Sequence, residues 1–292
     1  MKKNQTRSYL MLISSMLIFG TIGIFRKYVT LSSAMLAFSR GLLGSAFLAA
    51  FLMLRGHKRQ KIGTVPLLLL MLTGGIIGLN WIFLFESYRY TSLATATMCY
   101  YMQPTIVIFL SAIILKERLT VKKLLCAAAA ILGMVFVSGI LEGNGLGTQD
   151  AAGIFFGLGA ALFYAVVIIL NKRVSLEDSY ERTFIQLLSD TVVLLPYLLV
   201  TEDWSSMELS GLTVAMVLLI GIVHTGFAYT LYFGSMNALR AQSIAVLSYI
   251  DPVFALFLSA AVLHEALSVM GILGAALIIG SALLSELPIG RH

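Results

Sequence analysis

The sequence predicts an all-α integral membrane protein of ten transmembrane helices, arranged as two inverted five-helix repeats. Three observations carry that expectation: an extreme apolar composition, ten apolar runs of membrane-spanning length, and a self-similarity at one fixed offset. Of the 292 residues, 59% are hydrophobic and 12% are charged, with a mean hydropathy of +0.93. Soluble domains carry roughly 25% charged residues, so half of the usual solvating surface is missing. That excludes an ordinary cytosolic enzyme, a disordered chain and a secreted disulfide scaffold. The two cysteines, Cys99 and Cys126, both lie in apolar runs and say little about redox compartment.

A helix needs about 20 apolar residues to cross the hydrocarbon layer, because lipid offers its backbone no hydrogen-bond partner. In order, the runs are Tyr9–Phe25, Ser33–Leu54, Val65–Phe85, Leu93–Leu115, Leu124–Leu141, Ala151–Leu170, Thr183–Val200, Gly211–Phe233, Ala241–Leu263 and Val269–Leu284. The first follows Lys2, Lys3 and Arg7 without a convincing small-residue cleavage site, so it reads as a retained span rather than a signal peptide. No connection is long enough for a soluble domain.

With ten spans both termini share a side, and the lysine and arginine distribution decides which. One face holds sixteen: Lys2, Lys3, Arg7, Arg55, Lys58, Arg59, Lys61, Lys116, Arg118, Lys122, Lys123, Lys172, Arg173, Arg182, Arg240 and Arg291. The opposite face holds three, Arg26, Lys27 and Arg89, and the twentieth, Arg40, falls inside span two. Both termini are therefore expected in the cytoplasm, and Glu142, Asp150, Glu202, Asp203 and Glu208 on the other side agree with that orientation. The net charge of +6 is thus a topology signal and not a mark of nucleic-acid binding.

Shifting the sequence by 148 lays Tyr101–Leu119 on Tyr249–Leu267, with nine identities in 19 positions, among them Tyr101/Tyr249, Pro104/Pro252, Ser111/Ser259 and Glu117/Glu265. The shift pairs span four with span nine, so each half holds five spans: residues 1–145 and 146–292. Five is odd, so the halves enter the membrane in opposite orientation, a common construction in alternating-access carriers.

The stretch Pro252-Val-Phe-Ala-Leu-Phe-Leu-Ser-Ala-Ala-Val-Leu-His-Glu265-Ala-Leu resembles the signature of the EamA family of the drug/metabolite transporter superfamily, and Pro104–Leu119 gives a weaker first copy. Gly271–Gly280 and the Phe19-Gly20 pair of span one are similar to that family as well. The resemblance covers nearly the whole chain. It implies a bacterial inner-membrane carrier, often an exporter of amino acids or other metabolites, with a central cavity between the halves. It does not specify a substrate.

Polar groups inside the spans are the informative ones, since each costs roughly 2.5–3.5 kcal/mol at the bilayer centre unless satisfied. Asp251 lies ten residues into span nine, about 15 Å deep at 1.5 Å per residue. Its repeat partner is Gln103, and each precedes a proline, Pro252 or Pro104, that removes an N–H and opens the helix. Asp251 can carry a proton, hold a substrate ammonium, or cap the helix break. Gln103 can hydrogen-bond substrate or serve structure alone.

His224, in span eight, suits a proton relay by its near-neutral titration or a hydrogen bond to a neighbouring helix. Arg40 in span two and Asp190 in span seven are opposite charges within the bilayer. Arg40 is a candidate for a substrate carboxylate, and the two can also pair or snorkel. Asn80 and Trp81, with Tyr100 and Tyr101, offer an amide-and-aromatic lining suited to an amphipathic solute, or ordinary packing, and Tyr249, the repeat partner of Tyr101, is a further candidate.

Enzyme motifs are mostly absent. His264-Glu265 begins a zinc-protease-like pattern, but Ser268 stands where the second histidine belongs. No phosphate-binding loop follows the Gly-x-x-x-x-Gly-Lys pattern. The expectation is a secondary carrier with no cofactor and no metal. Its partners are a small-molecule substrate, the lipid bilayer and a proton as coupling ion, and it is a monomer or homodimer. A proton-coupled exporter of cationic amines is the alternative within transport. A membrane-embedded enzyme or receptor would need a clustered catalytic set that is not present.

Overall fold

A computed structural model describes residues 2–57, 60–142, 147–174, 176, 178–204, 209–236 and 239–286. Lys58, Arg59, Glu208, Arg291 and the boundary between residues 145 and 146 lie outside the described residues.

Every regular element among the described residues is helical. The first half comprises α1 (Lys2–Arg26), α2 (Ser33–Leu54), α3 (Thr64–Tyr90), α4 (Leu93–Tyr100), α5 (Gln103–Ile114) and α6 (Val121–Val137). The second comprises α7 (Thr148–Asn171), α8 (Ser179–Thr201), α9 (Gly211–Leu218), a π-helical stretch Leu219–Phe227, α10 (Ala228–Met236), α11 (Ala241–Ser248), α12 (Ile250–Ala261) and α13 (Val269–Glu286). Seven helical rods among the described residues are long and apolar enough to cross a membrane, and Val246–Ala261 and Val269–Ser285 are shorter apolar helices. The fifth span, α6, stops at Val137 rather than Leu141, because Gly139 turns the chain at φ +73°.

Helix starts follow local chemistry. Ser32, Ser92, Thr120 and Ser210 each accept the backbone N–H three residues on, and Asp178 accepts two, from Tyr180 and Glu181. Each satisfies donors that a helix N-terminus leaves open.

The two halves share their endings as well as their sequence. Lys116 and His264, equivalent under the 148-residue shift, are the two non-glycine residues at positive φ among the described residues, at 56° and 54°. In each half the following glutamate donates its N–H back to a serine carbonyl: Glu117 to Ser111 at 3.2 Å, Glu265 to Ser259 at 3.1 Å. A left-handed residue closing a helix by such a back-bond is a helix terminator.

Packing shows the inversion. Gly41 of α2 faces Asp190 of α8, while Gly44, a turn further on, faces Leu187. Numbers rise along one helix as they fall along its equivalent in the other half. Likewise Gly133 of α6 meets Ile278 of α13, and Val137 meets Gly274. Equivalent spans therefore run antiparallel. Other contacts come in related pairs: α3 against α7 answers α1 against α10, and α7 against α4 and α5 answers α1 against α11 and α12. Gly133 and Gly274 press on each other's carbonyls, an approach that any side chain there would block. The largest apolar cluster gathers Leu36, Leu48, Phe85, Leu187, Leu198 and Ile220.

Candidate functional site

Spans four and nine are both broken near mid-length. Pro104 has no N–H to give the carbonyl of Tyr100, and Pro252 has none to give that of Ser248. The chain turns at Tyr101–Met102 and at Tyr249 before the second half-helices, α5 and α12, begin. Half-helix N-termini carry partial positive charge, so Asp251 in the first turn of α12 sits where a carboxylate is favoured.

The two breaks meet. The Tyr101 hydroxyl donates to Asp251 Oδ2 at 2.6 Å, and the Tyr101 and Tyr249 rings lie 6.3 Å apart. Gly20 of α1 lets this happen beside it: a Cβ there would come within 2.9 Å of the Asp251 carbonyl oxygen.

Around the breaks lies a cavity of about 580 Å³. Its wall includes nine aromatic residues: Phe19, Trp81, Tyr88, Tyr100, Tyr101, Tyr164, Tyr229, Tyr232 and Tyr249. Arg40 and Asp251 are the two charged residues lining it, with Gln103, Thr97 and Ser248 as further polar groups. The volume and the mixture of rings with a few convergent polar groups fit a small organic solute.

Arg40 is held in place rather than left loose. Its guanidinium carbon stands 4.0 Å from the Trp81 ring centroid and 5.9 Å from that of Phe85. Its Nε donates to Thr225 Oγ1 at 2.7 Å, and Thr225 passes its own proton to the Ile220 carbonyl at 3.0 Å. That carbonyl is five residues back, matching the wider π turn of Leu219–Phe227. Such π segments often occur at functional sites. Stacking and one hydrogen bond use one face and one nitrogen of the guanidinium, and the fork that suits a carboxylate remains.

Of the residues singled out from sequence, Arg40, Trp81, Tyr100, Tyr101, Gln103, Pro104, Tyr249 and Asp251 share the cavity wall. Asn80, His224, Asp190 and Pro252 do not line it. Asn80 is fully buried and gives its Nδ2 to the Ala160 carbonyl at 2.6 Å, tying α3 to α7. His224 lies against α1, with Nε2 at 2.8 Å from Thr21 Oγ1, Nδ1 at 3.3 Å from the Leu219 carbonyl and its ring 5.1 Å from that of Phe25. Asp190 is fully buried between Gly41 and Gly78, and neither carboxylate oxygen has a hydrogen-bond partner. No ion pair within 4.0 Å joins it to Arg40. Pro252 is buried behind the break.

The cavity also contains residues that sequence reasoning passed over. Tyr88 sits near the end of a span, where a tyrosine is expected at the membrane interface anyway, Phe19 is marked only by the family resemblance, and Tyr164 and Thr97 give no individual signal. The collective signal is the tyrosine count: seven of the chain's 12 tyrosines line this one cavity. A tyrosine within an apolar run needs somewhere to put its hydroxyl, and a shared polar cavity provides it. No group of three or more potential metal ligands occurs among the described residues.

Comparison with known proteins agrees with the geometry. The profile of the EamA-like transporter family matches residues 6–139 and again 151–287. The uncharacterized transporter YxxF of Bacillus subtilis (strain 168) is 31% identical over 257 residues, covering 88% of this chain and 82% of its own. An uncharacterized transporter of Archaeoglobus fulgidus is 28% identical over 196 residues, 67% of each chain. A solved structure described only as the crystal structure of a protein superposes with a TM-score of 0.66 over 96% of this chain and 95% of its own, at 21% identity, which shows the fold. The paired helix breaks, the antiparallel equivalent spans and the twofold profile match lead to one assignment: this chain is a multi-pass membrane transporter of the EamA-like transporter family.

Proposed function

We propose that this transporter exports or exchanges small zwitterionic metabolites, amino acids among them, by alternating access across the plasma membrane. One observation carries the reading: a single positive and a single negative side chain, Arg40 and Asp251, line the same aromatic-walled cavity. In this reading Arg40 takes the substrate carboxylate and Asp251 its ammonium, while the tyrosine wall packs on the apolar part. Charge-assisted hydrogen bonds at both ends fix orientation, and the rings tolerate varied side chains.

The two five-helix halves, 1–145 and 146–292, rock about the cavity, and both termini face the cytoplasm. Asp251 also exchanges a proton as the substrate leaves, which couples transport to a pH gradient. Gln103, its counterpart across the repeat, offers a neutral hydrogen bond from the facing half-helix.

A second reading, export of cationic amines, is favoured by Asp251 lying among tyrosine rings, since rings and a carboxylate together attract ammonium groups. Arg40 in the same cavity weighs against it, because a second cation repels the first.

The test is exchange in proteoliposomes against a panel of amino acids, amines and nucleosides, with and without a pH gradient. Saturable exchange of amino acids, accelerated by the gradient, supports the reading. Exchange confined to amines replaces it with the second one.

A further inference from the structure

The three basic residues that depart from the charge distribution, the adjacent Arg26 and Lys27 at the end of the first span and Arg89 near the end of the third, line one pocket of about 660 Å³ with Tyr88, Thr30 and Ser32. Cations on the face opposite the basic one run against the usual bias of membrane insertion, so their convergence at one place asks for a cause.

Arg26 is 5% exposed. Its Nη1 donates to the Val29 carbonyl at 2.8 Å and its Nη2 to Ser33 Oγ at 3.2 Å, but its Nε is buried with no partner. A buried donor without an acceptor costs free energy unless something else fills the role. Lys27 donates to Glu265 at 2.5 Å, Arg89 pairs with Glu86 at 3.0 Å, and Glu202 accepts from Ser32 at 2.5 Å. None of those three carboxylates lines the pocket.

Tyr88 belongs to both this pocket and the central cavity, and is the wall between them. Leu93 closes the central cavity beside it, and its N–H is held by Glu265 at 2.8 Å, the same carboxylate that holds Lys27. The partition between the two spaces is thus tied to a basic residue of the pocket.

We infer that Arg26, Lys27 and Arg89 form a second carboxylate-binding subsite, which receives the acidic end of the substrate after it passes Tyr88. The inference rests on the central cavity being the transport site for carboxylate-bearing solutes. A carboxylate there supplies the counter-charge that Arg26, in no ion pair within 4.0 Å among the described residues, lacks, and competes with Glu265 for Lys27, which loosens the hold on Leu93. Loading of this subsite and opening of the partition are then one event. The phosphate of an anionic lipid offers related oxyanion chemistry, and the test separates the two sources.

The experiment is equilibrium dialysis of labelled phenylacetate against purified full-length protein, with melting temperature measured on each preparation. Wild type is expected to bind two equivalents, Arg40→Gln one, Arg26→Gln one, and the double variant none. Within the Arg40→Gln background, Arg26→Gln should weaken the remaining binding at least about tenfold, and Arg26→Lys should restore part of it. If Arg26→Gln lowers the melting temperature too far for dialysis, Arg89→Gln in the same background serves, with a smaller loss expected. Stoichiometry of one in wild type that Arg40→Gln abolishes, or folded variants at Arg26 and Arg89 that bind like their parent, overturns the inference. Displacement of this phenylacetate by an equal concentration of phosphatidylglycerol, with inorganic phosphate inert, overturns the assignment to substrate in favour of lipid. Failure of the central reading shows differently, as one equivalent in wild type that Arg40→Gln keeps and Arg26→Gln loses.

Discussion

Tyr101 and Asp251 join the two broken spans by one hydrogen bond of 2.6 Å, the tyrosine of one half donating to the carboxylate of the other. Tyr101 has its own equivalent, Tyr249, directly beside the acceptor, so the contact crosses between related positions without being symmetric. The asymmetry begins in the sequence, where Gln103 stands opposite Asp251. One half brings a carboxylate to the centre and the other an amide.

Tyr101→Phe removes the donor and keeps the ring. Asp251 lines the cavity, so water can replace part of the lost bond, and the expected stability cost is about 0.5–1.5 kcal/mol. Exchange should survive with a several-fold higher half-saturation concentration, because the carboxylate is no longer oriented. Thermal unfolding together with exchange kinetics on one preparation checks both.

Thr225→Val tests how Arg40 is held. The π turn places this hydroxyl against Arg40 Nε, and valine is close to threonine in size. Loss of a hydrogen bond to a charged group costs about 1.5–3 kcal/mol. A rise in half-saturation for amino acids with unchanged handling of amines is the expected pattern, read by parallel uptake assays. Equal weakening of both classes would point to a general packing defect.

The repeat-related glutamates should differ in weight. Glu265 accepts from Lys27, the Leu93 N–H and Ser259 and is 17% exposed, whereas Glu117, at 38%, pairs with Lys172 and Lys123. Glu265→Gln should lower the melting temperature by several degrees, and Glu117→Gln should barely move it, as for exposed ion pairs generally. The Lys172 hydrogen bond holds the Glu117 carboxyl below its usual range. A depressed carboxylate adds stability above its unfolded pKa and loses it as pH falls through the folded one. The Glu117→Gln difference should therefore stay constant from pH 8 to about 5 and vanish in stronger acid. A difference that changes between pH 6 and 8 would contradict this.

Asp190→Asn addresses a different cost. Both oxygens of Asp190 are buried without a partner, and an unpaired buried carboxylate is expensive wherever it is ionised. The amide has the same shape and no charge, so the variant should melt at the wild-type temperature or above. A fall of several degrees in calorimetry would show that the carboxylate has a partner in the membrane-embedded protein.

Much of this organisation was legible before any coordinates. The helix breaks follow from Pro104 and Pro252 at one offset, and the same offset anticipates the matched turns at Lys116 and His264. Arg40 and Asp251 stand out because a charge inside an apolar run has to be accounted for. Other features were hidden for physical reasons. Asn80 is spent on the Ala160 carbonyl, a partner 80 residues away that spacing cannot reveal. The tyrosine wall looks like ordinary packing, because an aromatic at helical spacing has the same pattern whether it faces a neighbour or a cavity. The π stretch has no sequence signature of its own, and it sends His224 to α1 and Thr225 to Arg40 although they are adjacent.

The claim that Arg40 and Asp251 grip opposite ends of one substrate is tested most directly by charge-split transport. Phenylalanine, phenethylamine and phenylacetate would be compared as exchange substrates for Arg40→Gln and Asp251→Asn in proteoliposomes. The account predicts that Arg40→Gln loses phenylacetate and weakens phenylalanine while sparing phenethylamine, and that Asp251→Asn does the reverse for the two single-charge probes. Folded variants that leave all three probes unchanged, or that weaken all three alike, would contradict it.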